Sequence, residues 1–389
     1  MITVAFFNQN FLMQKEIIDA LRRVSGVRLA VINMPDYPAP QQAQQACDAL
    51  SAHRVRMLFT VNDWGMGLDN VVAEFLTANS ILHVNWCADD PFFYETFHGH
   101  PLRPMPNRID FVSDRSYVAA MRSRGMNAHF APLASDPALF APALPHPGYK
   151  RTSCFVGNSY VKQAEAFTKD YEPYFDSLIP FVTSLYSRYR QDPALDLSAC
   201  VAQQVEPSSL PPGMSVDKAV FVLKHLVSYV FRRRLIVSLA RRYPDFTVFG
   251  DEWWLLDLPR EKISTEVGYY VNLSRTYQET RVNIDVNRVV IREGLTQRVF
   301  DCLASGAFVI TSAKPVLQEF FETTGDAKEV VVFDNEQHLG ELIDYYASHD
   351  SERAAIVERG RRRVLSEHTY DHRIAEIFRV ISGEIGGNG

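Results

Sequence analysis

The residues best suited to binding chemistry lie in one segment, residues 293–306. Read at helical spacing, Gln297, Arg298 and Asp301 fall on one polar face of this segment, and the opposite face is apolar. Gly294 is predicted to open the helix, which leaves the N–H groups of its first turn unpaired at the positive end of the helix dipole. The sequence therefore predicts an anion site at this helix end, and a diphosphate would fit it.

The predicted helix leads directly into a strand. Gly306 is expected to end the helix, and the apolar run at residues 307–311 is typical of a buried strand. Helix-to-strand winding of this kind indicates an α/β fold. The residues leave one alternative open, which is an ordinary α/β helix whose polar face has no function.

Acidic and aromatic side chains are concentrated around one predicted strand of the N-terminal half, residues 81–87. This strand contains His83 and Trp86, and Asp89 and Asp90 follow its carboxyl end. Ligands of parallel sheets bind beyond the carboxyl ends of the strands. An aromatic ring there can stack on a sugar, and an acid can take the proton of an acceptor hydroxyl. For the two acids, N-capping of the next segment is an equally good interpretation.

Two further strand ends carry polar residues. Asp63 and Trp64 lie in a loop with Gly65 and Gly67, where the glycines would let the backbone approach a ligand. A turn without function explains this loop equally well. The first strand end, residues 6–10, lacks the glycines of a dinucleotide fingerprint, so we expect no nicotinamide cofactor there.

Length and composition exclude several classes of protein. With 389 residues, 47% of them hydrophobic, the chain is long enough for two domains with separate cores. A net charge of −6 argues against a nucleic-acid-binding protein. The five cysteines form no C-x-x-C pair, which indicates a reducing compartment and no zinc site. A basic leader and long apolar runs are both missing, so we expect a cytoplasmic protein without a transmembrane helix.

Strand-like and helix-like segments alternate along the chain, which predicts parallel sheets covered on both faces. Five prolines between Pro132 and Pro147 mark an interdomain linker. We therefore expect an N-terminal domain over residues 1–146 and a C-terminal domain over residues 147–369, with a helical insertion at 160–242. A terminal helix should follow from residue 370, and the glycine-rich residues 382–389 are expected to be disordered.

Residues 216–242 form a long helical pattern with several arginines near its end. A basic amphipathic helix can rest on an anionic membrane surface, so the sequence leaves peripheral membrane contact open. The interpretation we favour is a core helix whose basic residues lie near its C-terminal end, where the helix dipole favours cations.

Several segments together resemble a known family, namely residues 83–91, 111–114, 125–140, 153–159, 283–287 and 294–311. They are similar to the CgeB-like (spore maturation protein CgeB) glycosyltransferases of the GT-B superfamily. The resemblance implies two doubly wound Rossmann-like domains facing across a cleft, with the terminal helix packing back on the N-terminal domain.

The resemblance also implies roles for individual residues. The donor would be a nucleotide-diphosphate sugar, with no other cofactor and no bound metal. Asp301 would bind the ribose and Glu293 would lie near the sugar, at the spacing of the E-x7-E pattern but with Asp as the second acid. Arg288 and Arg298 are the best cationic candidates for the diphosphate. The other implied donor-side residues are Gly157, Asn158, Gly250, Trp253, Gly294, Thr296 and Gln297.

The N-terminal domain would present the acceptor. We expect Asp89, Asp90 and His83 to take part in catalysis, with Asp63, Trp64 and Trp86 lining the acceptor side. The acceptor is expected to be a protein, such as flagellin or a surface protein, or a glycan. Two alternatives stay open: a sugar-nucleotide epimerase of the same fold, and a non-catalytic ligand-binding or assembly protein. The sequence does not predict the oligomeric state.

Overall fold

The structure is a computed structural model that describes residues 1–11 and 13–386. The chain divides into two compact units. The first unit contains Met1–Asp136 and the chain from Glu367 onward, and the second contains Pro137–Ser366.

The first unit is built on a six-stranded parallel sheet. Its strands are β1 (Ile2–Asn8), β2 (Val27–Asn33), β3 (Met57–Val61), β4 (Leu82–Cys87), β5 (Arg108–Val112) and β6 (Ala128–Phe130). Its helices up to this point are α1 (Gln14–Arg23), α2 (Pro40–Ala52), α3 (Val71–Ala78), α4 (Phe93–His98) and α5 (Ser116–Ser123). The strand order is β2-β1-β3-β4-β5-β6. β1 is buried on both faces, because Val4 and Phe6 join one core cluster while Ala5 and Phe7 join another.

The second unit contains another six-stranded parallel sheet. Its strands are β7 (Arg151–Val156), β8 (Thr247–Phe249), β9 (Ile263–Ser264), β10 (Thr280–Asp285), β11 (Val309–Ser312) and β12 (Val331–Phe333). The order is β12-β11-β10-β7-β8-β9. From β7 the chain adds β8 and β9 on one side, and it then returns to place β10 on the other side of β7. The two doubly wound α/β units that the sequence predicts are confirmed.

Helices cover this second sheet, and several of them form the segment between β7 and β8. They are α6 (Val161–Thr168), α7 (Phe175–Gln191), α8 (Leu197–Gln204), α9 (Val216–Arg242), α10 (Leu273–Gln278), α11 (Gln297–Ala304), α12 (Leu317–Phe320), α13 (Glu336–Tyr346) and α14 (Asp350–Glu367). Short 3₁₀ turns lie at Lys169–Tyr174, Pro207–Ser209, Glu252–Leu256 and Arg260–Lys262. α9 has the predicted bounds, and more than half of its residues are buried. This burial supports the interpretation as a core helix.

Helix α11 begins later than the sequence predicts. It starts at Gln297 rather than at Gly294, because Thr296 has an extended backbone with φ −70° and ψ 148°. The Thr296 hydroxyl donates a hydrogen bond to Asp285 at 3.1 Å instead of capping the helix. Gly294 therefore lies in the loop before the helix and does not open it.

The last helix, α15 (Tyr370–Gly386), packs on the first unit. Tyr370, Ile374, Ile377 and Ile381 recur at helical spacing and join the core cluster beneath β1, β3, β4 and β5. The predicted disorder from residue 382 is wrong for residues 382–386, because α15 continues to Gly386. Residues 387–389 lie outside the described part of the chain.

Ile377→Ala tests whether α15 belongs to this core. Ile377 is fully buried, so its truncation is expected to lower the free energy of unfolding by about 3 kcal/mol. Arg379→Ala on the exposed side of the same helix is the control and should change it by less than about 0.5 kcal/mol. Denaturant unfolding measures both variants, and equal losses would contradict the packing described here.

Candidate functional site

The second sheet has a topological switch point between β7 and β10. Consecutive strands lead away from this pair in opposite directions, which opens a crevice at their carboxyl ends. Gly157 and Asn158 follow β7, and Asn287 and Arg288 follow β10. Ligands of doubly wound folds bind at this position, so a binding site is sought here first.

Three arginines from different segments meet at this switch point. Arg298 comes from the first turn of α11, and its guanidinium carbon lies 5.3 Å from the centre of the Phe155 ring. Arg232 comes from α9 and lies 4.5 Å from the ring of Tyr160 and 5.4 Å from that of Phe155. Arg288 lies 5.3 Å from Tyr160. Two aromatic rings thus hold a concentrated patch of positive charge.

A buried carboxylate fixes one of these arginines. Asp285, at the end of β10, is fully buried and pairs with the Arg298 guanidinium. It also accepts hydrogen bonds from the hydroxyls of Thr296 at 3.1 Å and Thr311 at 2.7 Å. Burial acts to lower the pKa of Arg298, but the Asp285 carboxylate outweighs it and the net shift is upward. Arg298 is therefore cationic and held in place.

Arg232 is buried without such a partner. It is 4% exposed, and it donates to the carbonyls of Asn158 and Val286, each at 3.3 Å. Within the described residues its Nε–H meets no hydrogen-bond acceptor. Burial lowers the pKa of Arg232 to about 10, and the nearby Arg298 and Arg288 act in the same direction. A guanidinium in this state suits an anionic ligand, because an anion would supply the missing charge and acceptor.

The sequence analysis did not single out Arg232. It lies 66 residues before Arg298 and belongs to a helix that was judged only for its overall basic pattern. The one available signal was an arginine within a run of apolar helix positions, where a charge needs a partner. Arg288 and Arg298, which were predicted, do lie at this site.

Two glycines allow close packing beside the arginines. A methyl group added at Gly157 would lie 3.1 Å from Nη2 of Arg298 and 2.9 Å from the Phe155 ring. A methyl group at Gly250 would lie 2.4 Å from the Gly157 carbonyl oxygen, which also accepts the indole N–H of Trp254 at 3.0 Å. The two glycines therefore keep the β7 and β8 loops close together.

Other predicted donor-side residues lie around this centre. Trp253 is half-buried, and the ammonium of Lys162 lies 4.3 Å from its ring, whereas the neighbouring Trp254 is fully buried. Asn158 is exposed, and Glu293 is half-exposed with Arg292 at 3.1 Å.

Asp301 lies at the start of the second turn of α11 and is almost fully buried. Its carboxylate accepts a hydrogen bond from the Tyr269 hydroxyl at 2.8 Å. The Gln297 amide in turn donates to that hydroxyl. Tyr269 is thus held over the face of the helix on which Gln297, Arg298 and Asp301 lie.

The structure corrects two predictions in the first unit. His83 is fully buried, and its Nε2 lies 2.9 Å from the Thr60 hydroxyl. Burial lowers the pKa of His83 to about 3, and Arg108 adds to this effect, so the ring is neutral. Trp86 is also fully buried and donates to the Ala131 carbonyl at 2.9 Å. The predicted contacts of His83 and Trp86 with an acceptor are wrong, because both side chains belong to the domain interior.

The remaining predicted residues of the first unit are partly accessible. Asp63 pairs with Arg108 at 2.8 Å, and Trp64 is half-buried. Asp90 accepts from the Phe92 N–H at 2.9 Å and from the Tyr117 hydroxyl at 3.0 Å. Asp90 thus stabilises the turn before α4, but it does not cap the helix, because the N-cap residue is Phe92, whose side chain makes no capping hydrogen bond.

Asp89 has a different environment from Asp90. Its side chain is exposed at the end of β4, and it accepts a hydrogen bond from the Asn62 amide at 3.0 Å. Of the two adjacent acids, Asp89 is therefore the more exposed.

Among residues 1–11 and 13–386, no cluster of three or more His, Cys, Asp or Glu side chains is arranged to hold a metal ion. Within the same part of the chain, every helix is too short or too polar to cross a membrane.

Comparisons with known proteins agree with this architecture. Residues 232–379, which begin at Arg232 and include Arg288, Arg298 and Asp301, match the model of the Glycosyl transferase-like family. The structure of Anabaena HepE in complex with UDP-glucose matches with a TM-score of 0.56 and 9% identity, over 98% of this chain and 100% of HepE. HepE in complex with UDP and glucose matches with a TM-score of 0.52 and 10% identity, over the same shares. A search of curated proteins finds no match.

These comparisons establish the fold of the chain and the sequence family that its C-terminal part resembles. At such identities the likeness to HepE shows the fold alone, and this fold is GT-B. The segment from Arg232 to residue 379 is glycosyltransferase-like in sequence.

The pairing of Arg298 with Asp285 can be tested by unfolding. Arg298→Met would leave the buried Asp285 carboxylate without its cation and is expected to cost about 3–5 kcal/mol. Adding Asp285→Asn removes the second charge and should recover most of that loss. Arg232→Met is the matched control, and its cost should be smaller because no carboxylate loses a direct partner. Equal costs for both arginine variants, with no recovery in the double variant, would contradict the pairing.

Proposed function

We propose that this protein is a glycosyltransferase of the CgeB-like type that moves a sugar from a nucleoside-diphosphate sugar to an acceptor. The observation that carries the proposal is the meeting of Arg232, Arg288 and Arg298 at the β7–β10 switch point. Three guanidiniums surround a place where doubly wound folds bind ligands, and Asp285 holds the Arg298 guanidinium there. A diphosphate supplies the negative charge that this arrangement favours.

The arginines would act mainly on the leaving group. When the bond between the sugar and the diphosphate breaks, the electron pair stays on the diphosphate oxygen and its negative charge grows. Guanidiniums that are already fixed stabilise this charge without reorganising, so they favour the transition state over the bound substrate. We propose that this fixed positive charge does the work of a divalent ion, so transfer should be independent of metal. The HepE complex with UDP-glucose makes UDP the first nucleotide to test and a hexose the first sugar.

Acidic residues would complete the reaction. We propose that Asp89 accepts the proton of the acceptor hydroxyl as its oxygen bonds to the sugar carbon, since Asp89 is the exposed acid at the end of β4. Asp90 would support it by fixing the adjoining turn. Glu293 would lie near the transferred sugar.

The ribose would bind at Asp301, in agreement with the acid spacing. Asp301 is buried and bonded to Tyr269, so the Tyr269 hydroxyl would give up its hydrogen bond when a ribose binds the carboxylate. The aromatic ring can then pack beside the nucleotide, and Gln297 is released to donate to it. Trp253, Gly250, Gly157 and Asn158 would contribute from the neighbouring loops.

Nucleotide binding tests the donor half of the proposal. UDP or another nucleoside diphosphate is expected to raise the melting temperature of the protein, and EDTA should leave the shift unchanged. Arg232→Met should weaken binding by about tenfold or more, since a buried charge-assisted hydrogen bond contributes about 1.5–3 kcal/mol. Arg234→Met, on the exposed side of the same helix, is the control. The proposal fails if no nucleoside diphosphate stabilises the protein.

Tyr269→Phe and Asp301→Asn distinguish a covering residue from a binding residue. If Asp301 binds the ribose, Asp301→Asn should weaken UDP binding, whereas Tyr269→Phe removes the competing hydrogen bond and should leave binding equal or tighter. Isothermal titration with UDP measures both variants, and titration with inorganic pyrophosphate serves as a control without ribose. Loss of UDP binding in Tyr269→Phe with no change in Asp301→Asn would reverse these two assignments.

A further inference from the structure

The first unit has its own topological switch point, between β1 and β3. β1 pairs with β2 on one side and with β3 on the other, so the loops after β1 and β3 lie next to each other at the carboxyl edge. Gly65 allows the two loops to approach closely, since it has φ +88° and an added methyl group would lie 3.2 Å from Nε2 of Gln9. None of these residues belongs to the donor site proposed in the second unit.

An aromatic pair lies across the two loops. The rings of Phe11 and Trp64 are 4.9 Å apart and meet edge to face at 87°. Phe11 follows β1 and is 51% exposed, while Trp64 follows β3 and is half-buried. An exposed aromatic ring supported by a second ring offers a flat apolar surface that matches the C–H face of a sugar ring.

Asparagine amides lie at the same edge with their donors directed outward. The buried Asn8 side chain donates to Oδ1 of Asn10 at 2.9 Å and to Oδ1 of Asn33 at 2.8 Å. Because these oxygens accept from Asn8, the amide nitrogens of Asn10 and Asn33 point away from it. Both residues are exposed, and neither nitrogen donates to another group within the described residues. These nitrogens can donate to hydroxyl oxygens of a ligand.

The loop that carries Phe11 is held in place before any ligand arrives. Gln14, fully buried at the start of α1, accepts hydrogen bonds from the backbone N–H groups of Gln9 at 2.8 Å and Phe11 at 3.2 Å. Its own amide donates to the Gln9 side chain. Such anchoring reduces the entropy that a ligand would otherwise have to offset on binding.

We infer that the β1–β3 edge binds a neutral saccharide and that the acceptor of the proposed reaction is a glycan. Ring stacking and outward amide donors are the chemistry that recognises C–H faces and hydroxyls. The side chains assigned to this site, Asn8, Gln9, Asn10, Phe11, Asn33 and Trp64, carry no charge. A phosphorylated lipid or a nucleic acid would require cations here, which these six residues do not supply. The assignment of the bound saccharide as acceptor rests on the proposed function, whereas its binding does not.

Titration with neutral trisaccharides tests this inference without any donor. Maltotriose, cellotriose and chitotriose are added to the protein, and binding is followed by the change in tryptophan fluorescence, to which Trp64 contributes together with the other three tryptophans. At least one of the three is expected to bind. Phe11→Ala should weaken that binding by about tenfold. Asn33→Asp should have a similar effect, because it keeps the hydrogen bond from Asn8 but replaces the outward donor by an acceptor. Tyr174→Ala, an aromatic of similar exposure in the second unit, is the control.

The inference is overturned if none of the three trisaccharides binds, or if Phe11→Ala and Asn33→Asp bind as tightly as the unchanged protein. The two proposals fail in different ways. Phe11→Ala should retain the melting shift with UDP, because the donor residues belong to the second unit. Saccharide binding without any nucleotide binding would support this site and count only against the donor.

Discussion

The buried Asp285 carboxylate is the constraint on which the proposed donor site depends. A charge without solvent access must be paired and hydrogen-bonded, and Asp285 is surrounded by Arg298, Thr296 and Thr311. These contacts tie the start of α11 to β10 and β11. They also fix the position and orientation of the Arg298 guanidinium at the switch point, and the Asp285 carboxylate neutralises its charge.

The other arginines give the proposed donor site its positive charge. Arg232 reaches the switch point from α9, which is part of the segment between β7 and β8, and among residues 1–11 and 13–386 it bonds only to backbone carbonyls. Burying such a charge costs stability, and a protein keeps it where a ligand returns that cost. The same logic applies to Tyr269, which occupies the Asp301 carboxylate and gives it a hydrogen bond in the absence of ribose.

Much of the fold was predictable because it depends on local periodicity. The alternation of strands and helices and the bounds of α9 follow from apolar spacing. Arg288 and Arg298 were predictable because they lie close to α11 in the chain. Arg232 was not, since its approach to Arg298 depends on how α9 packs. The burial of His83 and Trp86 was within reach of the sequence, because their positions alternate to opposite faces of β4 and the predicted sheet is covered on both faces.

The most direct test of the donor site is an experimental structure of the protein with UDP bound. The account predicts that diphosphate oxygens lie within hydrogen-bond distance of the Arg232, Arg288 and Arg298 guanidiniums, with Nε of Arg232 among the donors. It also predicts that the Tyr269 hydroxyl has left the Asp301 carboxylate. A diphosphate bound by other side chains, with the three arginines arranged as they are without ligand, would contradict it.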